Sequence, residues 1–315
     1  MRSHNGTLLI IGGHEDREGE RKILGHLARR VGRGKICIAT IASSNAAEEL
    51  WKQYAKAFRK LGVSRIAHLD IARRGETADA RALEMLADAN CVFFTGGDQL
   101  KITSEIGGTP IEARIREIYR SGGIIAGTSA GASVMSETML VSGAGVQSYR
   151  IGGGLRMAPG LGFLKDVLID QHFTERGRIG RLLGALAHNP KYVGIGLDEN
   201  TAIIVREKEL RVIGYGGVYI VDAHAATDSN ISDGDRDTSL SLFNVKIHLL
   251  SAGDRYDFTT RKPELLPARS VEFKTPRRSR KRVRKTTRPR KGRKTLRRGK
   301  PRLKANDSSL PSPHA

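Results

Sequence analysis

Gly123-Ile124-Ile125-Ala126-Gly127-Thr128-Ser129-Ala130-Gly131 decides how this chain is read. Gly123 to Ala126 is a short apolar run that suits a buried strand. Gly127 to Gly131 then matches G-x-S-x-G, and a helix-like stretch follows. Strand, sharp turn and helix are the setting in which that motif works as a nucleophile elbow. The glycines make room, so the Ser129 hydroxyl is held out over the sheet edge. The Ala130 amide, at the start of the helix, can point at a developing oxyanion, and Gly97 at the end of a neighbouring strand can supply a second amide. The same five residues would also suit a plain glycine turn that packs a helix on a sheet.

Working outward, apolar runs alternate with helical patterns. Strands are expected at Leu8 to Ile11, Lys35 to Ile41, Ile66 to Ile71 (weaker) and Cys91 to Phe94. A helix from Asn45 to Leu61 shows an N-cap pair, Asn45 with Glu48, and an apolar face of Leu50, Tyr54, Ala57, Phe58 and Leu61. A second helix spans Asp79 to Ala89. Thr109-Pro110-Ile111-Glu112 opens a third, with a cap, a first-turn proline and a capping carboxylate. This alternation implies βαβ units and a mostly parallel sheet flanked by helices, with chemistry at the carboxyl ends of the strands. Runs at Thr201 to Val205, Gly217 to Val221 and Leu242 to Leu250 add further strands, which an antiparallel arrangement would suit.

The chain has 315 residues, with 54 Lys plus Arg against 33 Asp plus Glu, a net charge of +21. Eighteen of those cations lie between Lys274 and Lys304, and no acid lies between Glu272 and Asp307. The rest is close to balanced, 36 basic against 33 acidic residues. Residues 1–270 are therefore expected to form one α/β domain and 271–315 a disordered basic tail, since the tail has almost no large apolar residue to offset ordering entropy. No apolar run approaches the ~18 residues of a membrane span. The start lacks a secretory h-region with its cleavage site. Cys37 and Cys91 both sit in apolar runs and read as buried free thiols. A soluble, reduced, cytoplasmic protein is expected.

A serine nucleophile needs a base, and the base needs an orienting group. His4 and His314 lie near the termini, His26 and His188 in helical patterns, and His248 in a strand. His172 instead ends the apolar run Val167-Leu168-Ile169, which places it near a strand end; Glu199 similarly follows an apolar strand, with Asp198 beside it as a second candidate. The order Ser, His, Glu differs from the Ser, acid, His order of esterases and lipases. Neither a metal site nor a cofactor is expected. His14-Glu15 lacks the second histidine of H-E-x-x-H, and Gly32-Arg33-Gly34-Lys35 lacks the Ser/Thr of a phosphate-binding loop. Gly152-Gly153-Gly154 lacks a dinucleotide fingerprint and reads as a turn that could shape a pocket rim.

GTSAGAS at 127–133, IDQHFTERGRIGRLL at 169–183, GIGLDENTAIIV at 194–205, IGGHED at 11–16, TGGDQ at 95–99 and HLLSAGDRYDF at 248–258 resemble cyanophycinases over roughly residues 8 to 258. These are serine peptidases related to peptidase E. The resemblance implies a class I glutamine amidotransferase-like fold, a flavodoxin-like three-layer sandwich. It implies an exopeptidase that cuts cyanophycin, a polyaspartate whose side chains carry arginine, into β-Asp-Arg units. It also implies a homodimer. Carried over by position, Ser129 is the nucleophile, His172 the base and Glu199 the orienting acid. Gln99, Asp170, Gln171, Arg176, Arg178 and Arg181 match substrate-pocket positions. Guanidinium groups would suit the substrate carboxylate. Arg178 and Arg181, three apart, are expected to share a helix face opposite Ile179, Leu182, Leu183 and Leu186. Asp170, Glu175 and Gln99 are candidates for the substrate's guanidinium.

Two other readings stay open. One is a peptidase E-type aspartyl or isoaspartyl dipeptidase. The other is a polyanion- or nucleic-acid-binding protein on an inactive hydrolase scaffold. The tail's cations favour phosphates without sequence preference, and the lack of aromatics there argues against base stacking.

Overall fold

The computed structural model describes residues 6–265, apart from 44, 144–148, 152–153, 233–234 and 236. The basic tail and the first two glycines of the 152–154 run lie outside the described residues. In chain order the first elements are β1 (Thr7–Ile11), α1 (Lys22–Val31), β2 (Lys35–Ala39), α2 (Ala47–Lys60) and β3 (Arg65–Leu69). After a 3-10 turn come α3 (Ala80–Met85), β4 (Ala89–Phe94), α4 (Gln99–Ile106), α5 (Pro110–Arg120), β5 (Ile124–Thr128) and α6 (Ala130–Ser133). The second half adds β6 (Thr138–Ser142), β7 (Arg156–Pro159), β8 (Val167–Gln171), α7 (Ile179–His188) and β9 (Val193–Leu197). It continues with β10 (Thr201–Arg206), β11 (Glu209–Gly214), β12 (Val218–Asp222), β13 (Lys246–Leu250), β14 (Arg255–Asp257) and β15 (Lys262–Glu264).

Nine strands form one sheet in the order β15-β14-β11-β10-β1-β5-β4-β2-β3. The five strands from β1 to β3 in that order run parallel, and β10, β11, β14 and β15 extend the sheet antiparallel. Side chains alternate between its faces, as the two-residue period of a strand requires. Leu9 and Ile11 pack with Leu24 and Leu27 of α1 and Tyr54 and Phe58 of α2. Leu8 and Ile10 face the other way, toward Ile102, Ile111 and Ile115 of α4 and α5. That second face is not covered by helices alone. A separate four-stranded sheet, β13-β12-β9-β8, brings Ile169, Ile195 and Leu197 into the same core. The mostly parallel architecture expected from the alternation is present, with this second sheet as the addition.

Several local expectations shift. α2 starts at Ala47 with Ala46 at its N-cap and no side-chain cap, so Asn45 and Glu48 do not form the expected pair. Asp79 caps α3 through a bond from the Arg81 amide, but that helix stops at Met85 and leaves only a short turn before β4. Thr109 and Pro110 do open α5 as read. The run expected from Leu242 contributes only Lys246–Leu250, paired antiparallel with β12. Cys37 and Cys91 are free and fully buried, and burial pushes the Cys37 thiol up to about 12.

Candidate active site

Ser129 links β5 to α6 at φ 54° and ψ −112°, a backbone state that non-glycine residues avoid and that costs roughly 1–3 kcal/mol. Its amide holds the carbonyl of Ile11 at 3.1 Å, so the turn is pinned to the end of β1. The flanking glycines are required by close approach. A Cβ on Gly127 would sit 2.3 Å from the Gly131 carbonyl oxygen, and one on Gly131 would sit 2.4 Å from that of Phe94. α6 can therefore drop onto the sheet directly behind the serine. Ala130 is its first residue, and Gly97 lines the cavity in front of Ser129.

Three chain segments converge on that hydroxyl. Ser129 Oγ lies 2.9 Å from His172 Nε2, and His172 Nδ1 lies 2.6 Å from Glu199 Oε1. His172 leaves β8 at φ 48° with its amide bonded to the Gly12 carbonyl at 2.9 Å. Glu199 sits in the β9–β10 turn, where its amide bonds Glu175 Oε1 at 3.1 Å. Next to it, the Asn200 amide bonds the Gly13 carbonyl at 2.8 Å. Asp198, the other candidate, turns away: Oδ1 accepts from the Thr174 amide and hydroxyl, and Oδ2 from the Gly217 amide. Burial lowers the His172 pKa below the ordinary histidine value; the Glu199 hydrogen bond raises it and Arg176 lowers it. A neutral imidazole between a hydroxyl and a carboxylate can take the hydroxyl proton while the carboxylate fixes its tautomer.

The cavity before Ser129 measures about 470 Å³, and Gln99, Gln171, Arg176, Arg178 and Arg181 all line it. Asp170 does not reach it. It is fully buried at the end of β8 and serves as counter-ion to both nearby arginines. Arg181 binds it with two bonds, Nε at 2.6 Å and a second from Nη2, while Arg178 Nη1 reaches it at 3.2 Å. Asp170 therefore has no face left for a substrate guanidinium. The expected division of α7 is also altered. Arg178 and Arg181 are 6% and 3% exposed, whereas Ile179 is 39% exposed. Arg178 Nη1 also holds the backbone and side-chain oxygens of Gln171, while Arg178 Nε is buried without a hydrogen-bond partner among the described residues. Gln99 Nε2 donates to the Leu140 carbonyl at 3.0 Å.

Four residues outside the serine, histidine and glutamate segments complete the surroundings. His14 Nδ1 lies 3.1 Å from the second oxygen of Glu199, and its ring packs edge-on to His172 at 5.1 Å. Glu15 is buried and accepts from Tyr54 Oη and Thr128 Oγ1, both at 2.5 Å, which ties α2 to the residue before the serine. Burial, and then the Glu15 carboxylate, push the Tyr54 phenol well above its ordinary value, so it remains a donor. Arg17 lies over the Tyr54 ring at 5.3 Å. IGGHED at 11–16 already marks His14 and Glu15, but no spacing rule links residues 14–17 to 129 and 199, so the fold alone reveals their contacts. His14, His172 and Glu199 are the one set of potential ligand atoms within 4.8 Å of each other among the described residues. His172 and Glu199 are already engaged with each other and with Ser129, so a cation there would break that chain of bonds. A separate cavity of about 630 Å³ lies between Phe163 and Phe258 and contains none of these groups.

Fold and site together define an α/β protein with a serine at a strained strand-to-helix elbow, beside a histidine and a carboxylate. The profile of peptidase family S51 matches residues 8–213, and the chain belongs to that family as a serine-type peptidase. A cyanophycinase of Synechococcus elongatus is 38% identical over 263 residues, covering 82% of this chain and 80% of that one. A cyanophycinase of Trichormus variabilis is 36% identical over 274 residues, 85% of this chain and 91% of the other. Among solved structures, a peptidase from an acI-B1 actinobacterium superposes with a TM-score of 0.58 over 81% of this chain and 98% of its own, at 22% identity, and so supports the fold.

Proposed function

We propose that this peptidase is a cyanophycinase, releasing β-Asp-Arg units from the polyaspartate backbone through an acyl-enzyme. One observation carries the reading: the Ser129–His172–Glu199 alignment opens onto a cavity that three arginines line. In this reading Ser129 attacks the backbone peptide carbonyl as His172 takes its proton, and Glu199 orients the imidazole and stabilises its charged form. The Gly97 and Ala130 amides hold the oxyanion. His172 then protonates the leaving amine, and water, activated by the same imidazole, releases the acyl group. Arg176, Arg178 and Arg181 hold substrate carboxylate. Gln171 braces Arg178, and Asp170 keeps both buried arginines in place. Gln99 is the remaining candidate for the substrate guanidinium, since Asp170 is engaged and Glu175 holds the Glu199 amide.

The finer parts of the reading are a homodimer in the cytoplasm, one hydrolase domain over residues 1–270, and a tail at 271–315 that binds polyanions. Among the described residues no helix is long and apolar enough to cross a membrane. Incubation with insoluble cyanophycin, followed by mass spectrometry, tests the activity. Wild type should release β-Asp-Arg and Ser129→Ala should not. Release of nothing by a folded wild type would reject cyanophycin and leave the peptidase E-type dipeptidase reading.

A further inference from the structure

Two cavities meet at Arg17. One is the 470 Å³ cavity of Ser129, which Arg17, Leu50 and Tyr54 also line. The other, about 840 Å³, lies over the β1–α1 segment and α2, and Arg17 lines it too. A short chain of bonds marks the junction. Arg17 Nη1 donates to Gln53 Oε1 at 2.7 Å, and Gln53 Nε2 donates to Glu49 Oε1 at 2.7 Å. Glu49, Gln53, Lys56 and Lys60 follow at i, i+4, i+7 and i+11, so they form one stripe along α2. Tyr54, Ala57 and Phe58 anchor that helix in the core. The stripe changes sign along its length, from an acid to two bases. Glu18 adds a second carboxylate from the facing loop, while Asp16 is engaged by the amides of Glu18, Gly19 and Arg21. Glu18, Lys56 and Lys60 form no ion pair among the described residues.

A groove of this kind repels a simple polyanion through its carboxylates and a simple polycation through its ammonium and guanidinium groups. It suits an extended ligand that repeats both signs at short intervals. We propose that the groove holds the polymer beyond the unit being cleaved. Substrate guanidinium groups would rest on Glu18 and Glu49, and substrate carboxylates on Arg17, Lys56 and Lys60. This rests on the cyanophycinase reading, because each unit of that polymer carries one carboxylate and one guanidinium. It adds a second binding region to the arginine-lined pocket and accounts for how a long chain stays registered at Ser129.

The test compares full-length cyanophycin with a two-unit β-Asp-Arg oligomer, which is too short to fill both cavities. The Glu18→Gln/Glu49→Gln and Lys56→Gln/Lys60→Gln pairs should each raise KM for the polymer about three- to tenfold, as expected for the loss of two exposed ion pairs. KM for the oligomer should change less than about twofold on the same basis. Equal effects on both substrates, or none on either, would overturn the groove while leaving the active-site reading intact. An effect of the acidic pair alone would overturn the claim that both signs are read. If wild type cleaves neither substrate, the cyanophycinase reading itself fails and the ligand proposed here goes with it.

Discussion

Ser129 and His172 both have positive φ, at 54° and 48°, and the amide of each donates a hydrogen bond to the chain at the end of β1, to the Ile11 and Gly12 carbonyls. That rigidity is why the hydroxyl and imidazole meet at hydrogen-bond distance. Ser129→Ala should reduce kcat by at least about a thousandfold with an unchanged melting temperature, since it removes the attacking atom and little packing. Glu199→Gln should cost about a hundred- to ten-thousandfold in kcat, because the wrong imidazole tautomer is then favoured. Asp198→Asn should lower stability by roughly 1.5–3 kcal/mol, through bonds to a charged acceptor, with a smaller effect on kcat. Thermal melts beside kinetics separate the two carboxylates. The His172 shift has a sign that can be checked. Turnover needs the neutral ring, so the acid limb of kcat/KM should fall below the ordinary histidine value of 6.5. A folded-state pKa below the unfolded one also means that stability declines as pH drops through 6.5 toward the folded value, because the unfolded chain binds the proton first. At this scale the sequence was highly legible. The G-x-S-x-G turn and the strand-end positions of His172 and Glu199 are local patterns. His14 was legible only as part of IGGHED at 11–16; its contact with Glu199, 185 residues away, was not.

At the scale of elements, β8 and α7 form the wall that sets the pocket's charge. The three-residue spacing of Arg178 and Arg181 reads as one shared helix face, but it does not reveal that both side chains are buried. Their burial depends on Asp170, whose position under them is decided by how β8 feeds α7. Asp170→Asn should destabilise the fold by about 3–5 kcal/mol, since it leaves two guanidinium groups buried with no counter-charge. Calorimetry should show the loss, and KM should rise where the variant stays folded. Neutralising Arg181 along with it, as Asp170→Asn/Arg181→Met, should recover part of the stability. α2 shows a different limit. Its apolar face was evident from periodicity, but the N-cap was not, because the chain arrives from Ser43, whose hydroxyl is bonded to the Gly96 carbonyl at 2.6 Å.

For the whole molecule, charge is the divided property. Residues outside 274–304 are near balance, while that segment alone holds eighteen cations. Deleting 271–315 should leave kcat and KM on cyanophycin within about twofold, since none of the groups assigned to the reaction lies in that segment. Retention on a polyphosphate or heparin matrix should fall to background. In the full chain that retention should weaken steeply with salt, by the release of condensed counter-ions. Equal retention of the truncated chain would remove the tail from any binding role.

The sequence by itself determined the class of fold and the candidate serine and histidine, because strand and helix periods, glycine turns and the serine motif are written in neighbouring residues. Only the tertiary structure decided which carboxylate meets His172, that Asp170 serves its arginines, that a second sheet covers one face of the first, and that Arg17 joins two cavities. Each of these depends on groups far apart in the chain, whose distances are settled by packing and by the demand that buried charge be paired.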